Sequence, residues 1–183
     1  MTQDLVHNFR HMARNNAWAN GRLAKACAGF SRAEFQAPRV SFFPSLSLTL
    51  NHILICDLYY VASLEGRTDA REAFVDEEPH PDPAAYAAAQ KAVDLRLIAY
   101  CDGLTAAKLE SMVGCDRGER GIVLDQAGDV LAHLFQHQIH HRGQAHAMLS
   151  STAVEPPQLD EYFMRGDWKI RDAELAAMGI RPV

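Results

Sequence analysis

Between Val130 and Leu149 the sequence VLAHLFQHQIHHRGQAHAML places five of the chain's nine histidines in what reads as one helix. No other stretch limits the fold as strongly, because two of these residues, His137 and His141, fall on the side that must be buried. Four residues advance a helix by about 400°, so the two imidazoles lie one turn apart and only about 40° apart around the axis. Val130, Leu134, Ala145 and Met148 share that side by steps of three and four. A buried imidazole needs partners for its ring nitrogens, and a transition-metal ion can serve both rings at once. Hydroxyls, carboxylates or water can also satisfy such a pair. Two ligands leave a metal site incomplete, so the metal reading requires a third donor on another inward helix face.

That donor is found in LSLTLNHILICDLYYVASLEG, a second long helix that the signals Pro44-Ser45 and Gly66 bound. Leu48, His52, Ile55, Tyr59 and Ala62 follow one another by four, three, four and three, with His52 in the middle of the apolar face. Alone, His52 would read as a core histidine bonded to a hydroxyl. Here it competes with a waiting two-histidine site.

The rest of the chain supplies the remaining helices. Residues 3–28 carry Leu5, Phe9, Met12, Trp18, Leu23 and Cys27 at helical spacing and end near Gly29. Asn15, Asn16 and Asn20 are poor helix-interior residues, which suggests side chains that tie this helix to its neighbours. SRAE at 31–34 has capping-box spacing. The acidic, proline-bearing TDAREAFVDEEPHPDP reads as an exposed loop long enough to cross the molecule, with His80 in solvent. Asp82 caps a third helix with Pro83 in its first turn, running to Gly103. VGCDRGERGIVL reads as an irregular segment or small hairpin and carries no chemical motif. The fourth helix begins around Asp125 and ends before Pro156-Pro157.

These patterns predict an all-α four-helix bundle over 1–155, with a crossover connection after the second helix. Residues 156–183 form a C-terminal tail that packs on the bundle or on a partner subunit. With 183 residues the chain can bury a core without staples. A net charge of −5 with scattered signs gives no footprint for nucleic acid or anionic membrane. The start, MTQDLVHNFRHMARNN, lacks an apolar signal core and no window is apolar enough to span a bilayer, so a cytoplasmic protein is expected. Cys27, Cys56, Cys101 and Cys115 are too dispersed for a cysteine metal pair and read as reduced thiols. Cys56 lies near the proposed site, where a small buried hydrophobe is its ordinary role.

Taken together, LNHILICDLYYVASLEG around His52, HLFQHQIHHRGQAHAML around His137 and His141, and NNAWANGRL near the start resemble the DinB/YfiT-like metalloenzyme family over about residues 5–150. The HxxxHRGQ element carries most of the specificity. The resemblance implies a four-helix bundle with crossed-over topology, often a homodimer, binding a divalent metal through three histidines that correspond here to His52, His137 and His141. Relatives include S-transferases that use low-molecular-weight thiols, while fold alone does not choose a reaction.

Three readings of function follow. In the first, three neutral imidazoles hold zinc or nickel with an open position that activates a thiol or water of a small-molecule substrate. In the second, the ion belongs to a non-enzymatic stress or structural protein and pins two helices together. In the third, the histidines are hydrogen-bonded without metal. Around the ligands, Gln144 lies close to His137 on the helical projection and could orient a ligand or water. Arg142 points away, toward an acid elsewhere. His133 and His140 border the ligand face as a solvated edge or proton shuttle, His146 lies opposite, and Asp57 is a second orienting candidate against the default of an exposed acid.

Overall fold

The computed structural model describes residues 4–183, so the first helix's expected start at residue 3 lies outside them. Asp4 caps α1 (Leu5–Cys27), its carboxylate accepting from the His7 N–H at 2.7 Å. SRAE forms the expected capping box at the start of α2 (Arg32–Phe35). Helix α3 (Leu46–Leu64) begins where the Ser45 hydroxyl takes the Leu48 N–H at 3.0 Å, and the chain leaves it at Gly66, whose φ of 76° suits a residue without a side chain. Asp82 accepts from the Ala84 and Ala85 N–H groups, with Pro83 opening α4 (Pro83–Asp102). After the short α5 (Ala106–Glu110) comes an antiparallel hairpin of β1 (Met112–Asp116) and β2 (Ile122–Gln126), paired from Met112–Gln126 to Asp116–Ile122. Strand β2 runs directly into α6 (Ala127–Leu149), and α7 (Trp168–Ala177) follows the Pro156-Pro157 break.

Side-chain pairs give the helix directions. Asp57 meets Gln90 and Glu65 meets Arg96, so α3 and α4 run parallel. Asn20 reaches Asp94 while Arg14 reaches Asp102, which makes α1 antiparallel to α4. His52 faces His137 and Tyr60 faces His133, so α6 runs against α3, and Phe9 stacking on Phe135 with Asn16 meeting Arg142 sets α1 parallel to α6. The bundle is therefore up-down-down-up. Two consecutive parallel helices require a return path, and residues 65–82 provide it, folding through a 3-10 turn at Ala70–Phe74 against α3. The return ends where the His80 N–H donates to Asn51 Oδ1 and Asn51 Nδ2 donates to the His80 carbonyl, both at 2.9 Å. This is the expected crossover. His80, expected in solvent, is instead half-buried and pinned through its backbone.

Helix α3 is the centre of the molecule. Leu50, Ile53, Leu54 and Val61 are buried on sides away from the expected stripe, because α4, α6 and the return segment all pack against it. The consequence is that its lone acid, Asp57, is 1 % exposed rather than on the surface. On the outer side of α1, Glu174 of α7 accepts from Trp18 Nε1 at 2.6 Å and from Arg22 Nε at 2.9 Å. No helix among the described residues is long and apolar enough to cross a membrane.

Candidate metal centre

Helices α3 and α6 bring the three histidines singled out by spacing into one cluster. His52 Nε2 and His137 Nε2 are 3.0 Å apart, and the His141 ring centroid lies 4.6 Å from that of His52 and 4.4 Å from that of His137. Two nitrogens on a tetrahedral zinc, each about 2.0–2.1 Å from the ion, would sit about 3.3 Å apart, close to this separation. The two Nε2 atoms meet each other rather than a carbonyl or carboxylate, a contact in which one must donate and the other accept. His141 Nδ1 is 2.8 Å from Gln144 Oε1 and thus donates its proton there, leaving Nε2 as the free acceptor. The donor set fits a metal ion.

Burial keeps these rings neutral. Desolvation first, and the His141 ring second, pull His52 down to about 4. Desolvation, followed by His141, His52 and the two outer histidines, takes His137 to about 3. His141 is lowered by desolvation, partly offset by Gln144. Phe43 contributes to this dry setting, its ring centroid 4.3 Å from that of His52 and 5.6 Å from that of His141.

Cys56 also enters the cluster. One turn along α3 from His52, its Sγ lies 3.8 Å from His52 Nε2, and the donor atoms of His52, Cys56 and His137 all fall within 4.8 Å of one another. His141 is beside that group rather than within it. Desolvation, with Asp57 second, pushes the Cys56 thiol up to about 12, so only a bound cation would make it a thiolate near neutral pH. The four-residue step from His52 to Cys56 was the available signal, and it matches that of His137 and His141.

Behind the imidazoles lies a buried polar network. Arg142 Nη1 donates to Asn16 Oδ1 at 2.5 Å, Asn20 Oδ1 at 3.0 Å and Gln138 Oε1 at 3.1 Å. The same asparagines donate to Asp94 Oδ1, which also accepts from Gln90, while Gln90 donates to Asp57. Asparagine amides thus join a buried guanidinium to buried carboxyls, so Asn16 and Asn20 tie α1 to α4 and α6 as their position suggested. Arg142 contacts these amides rather than an acid directly. Asn15 Oδ1 is buried without a partner.

In front of them, a cleft of about 370 Å3 opens between Cys56, Tyr59 and Tyr60 of α3, His133 and His137 of α6, and the hairpin tip. His133 and His140 are exposed. A larger depression of about 660 Å3 between α1, α5 and the start of α6 holds none of the imidazoles. The sequence model described as the DinB family matches residues 1–171, and no curated protein matches the chain.

Proposed function

The chain belongs to the DinB family, and from that premise we propose a metal-dependent enzyme acting on a small molecule, with a divalent ion held by His52, His137 and His141. The observation that carries this reading is the convergence of three neutral imidazoles, from two facing helices, beside an open cleft. Zinc or nickel suits imidazole donors. When bound, such an ion supplies Lewis acidity that makes a thiol or water acidic near neutral pH.

The chain's own groups do the rest. Gln144 fixes the His141 ring by accepting a hydrogen bond from its Nδ1–H, which leaves Nε2 to act as a ligand. Phe43 shields His52 and keeps its nitrogen unprotonated. His133, exposed at the cleft, is placed to accept a proton from a reacting group. Transfer to or from a low-molecular-weight thiol is the reaction we favour, with hydrolysis as the alternative and a homodimer as the working assembly.

Cys56 favours a second reading. As a fourth protein ligand it would close the site and make the ion a structural pin between α3 and α6. Elemental analysis of untagged wild type and Cys56→Ser, with thiol-transfer and ester-hydrolysis assays with and without chelator, separates the two. The enzymatic reading expects chelator-sensitive turnover and an ion retained by the variant. Loss of the ion from the variant, with no turnover by wild type, would transfer the assignment to the structural reading.

A further inference from the structure

Two arginines line the cleft beside His137 and Cys56, and they differ from the other arginines that meet carboxylates. Arg14 and Asp102 pair at 2.8 Å, Arg22 and Glu174 at 2.9 Å, and Arg96 and Glu65 at 2.7 Å. Arg71 and Asp116 stand 3.9 Å apart, and Arg117 and Asp125 stand 3.7 Å apart, both beyond direct hydrogen-bond reach. These guanidinium groups therefore keep N–H donors unfilled by their acids.

Arg117 is held by a hydrogen bond, and Arg71 lies against the hairpin tip. Arg117 Nη1 donates to the Tyr60 hydroxyl at 3.1 Å. The Arg71 guanidinium lies against Gly118, where a Cβ would come within 2.7 Å of its carbon and nitrogens. The hairpin tip is fixed in turn, since the Tyr59 hydroxyl donates to the Asp116 carbonyl at 2.8 Å and the Gly118 N–H donates to Asp116 Oδ1 at 2.8 Å. Tyr59 and Phe74, with ring centroids 5.1 Å apart, form an aromatic wall below. Among the residues lining the cleft, Arg71 and Arg117 meet one acid, Asp116, while Asp125 stands behind Arg117 at 3.7 Å.

We propose that this cleft selects a substrate carrying one carboxylate, held by Arg117 with Arg71 beside it, whose apolar body rests on Tyr59 and Phe74 and whose reactive end points to His137. What happens at that end rests on the functional reading above, whereas recognition of the anion requires no metal. One carboxylate can take the N–H donors that Asp116 and Asp125 leave unfilled, whereas a doubly charged phosphate would meet stronger repulsion from both acids.

The probes are phenylacetate, its uncharged amide phenylacetamide, and phenyl phosphate, titrated into the full-length protein with and without chelator. Calorimetry reads affinity and NMR reads the arginine Nε–H signals. Phenylacetate should bind about tenfold or more tighter than the amide, moving the Arg117 and Arg71 signals. Arg117→Gln should remove that preference and leave amide affinity unchanged, Arg117→Lys should restore part of it, and Arg71→Gln should weaken it. Circular dichroism checks that each variant is folded. Equal binding of acid and amide, shifts confined to other arginines, or tighter binding of phenyl phosphate would overturn the proposal. Metal content keeps the two ideas apart: a preference shown by protein that takes up no divalent ion before any chelator is added sinks only the metal-enzyme reading, and an ion with turnover but no preference sinks only this one.

Discussion

Replacing Asp57 by Asn tests the electrostatics of the bundle core most directly. Burial, with the neighbouring charge of Asp94 second, lifts the Asp57 carboxyl from 3.8 to about 7. The hydrogen bonding bears on this, since Asp57 Oδ1 and Gln90 Oε1 are buried acceptors without a partner against one such donor nearby, Gln138 Nε2, and a proton on Asp57 supplies a second donor. Between pH 3.8 and about 7 the folded chain thus holds a proton that the unfolded chain has released, so stability falls as pH rises through that window. The slope is roughly 1.4 kcal/mol per pH unit, and the full window from 3.8 to about 7 amounts to about 4 kcal/mol. Domain stabilities are about 5–15 kcal/mol, so the effect should be easy to see. Asparagine cannot ionise, can keep the contact from Gln90 Nε2 through its oxygen, and can offer its amide to Gln90 Oε1. Urea unfolding of both proteins in chelator, from pH 4.5 to 8, should show the variant gaining about 3 kcal/mol on wild type across the range. His52 and His137, whose depressed pKa values remove stability as pH falls below 6.5, act alike in both proteins and cancel in the difference, whereas Asp94, raised to about 6 by burial, titrates in the same window and shares the gain with Asp57. A difference that does not change with pH would refute the argument, because it would mean that Asp57 is ionised throughout and compensated by Arg142.

Three further changes probe the site and its supports. His137→Ala should remove the ion while the bundle stays folded, at a cost of about 1–2 kcal/mol, since the side chain is only half-buried; metal analysis with circular dichroism checks this, and a retained ion would assign Cys56 in its place. Arg142→Met should cost about 3–5 kcal/mol in chemical denaturation, because it strands the buried oxygens of Asn16, Asn20 and Gln138 at once; a loss under 1 kcal/mol would show that the amides alone satisfy the network. Gly118→Ala should cost about 1–2 kcal/mol and weaken carboxylate binding, since φ at that position is 68° and Arg71 occupies the space of the new methyl group; an unchanged melting temperature would contradict it.

The bundle helices were legible because their signals are local. Ser45, Asp82-Pro83 and the Ser31–Glu34 box are contacts within one turn, and the steps from His52 to Ile55 and from His137 to His141 need only helical geometry. Asp57 was misplaced for a different reason. Periodicity identifies one buried face, whereas α3 is enclosed on several sides by helices and by a return segment whose path depends on distant contacts such as His80 with Asn51. A clue was present, since Asp57 is the only charged residue between Leu46 and Leu64, a composition that suits a helix buried all round. Cys56 shared the helical step of the histidines yet was discounted, because a buried cysteine is ordinarily inert and only the 3.8 Å approach to His52 distinguishes this one. Arg117 offered no local signal at all. It sits in a glycine-flanked turn, and its role depends on a hydroxyl 57 positions earlier in the chain and on a hairpin tip anchored to α3 by Tyr59. The cleft and its arginines are therefore assembled from long-range contacts, while the histidine cluster is assembled from helical repeats. Changes in the tip at Asp116–Gly118 should accordingly alter which substrates are accepted without moving the imidazoles.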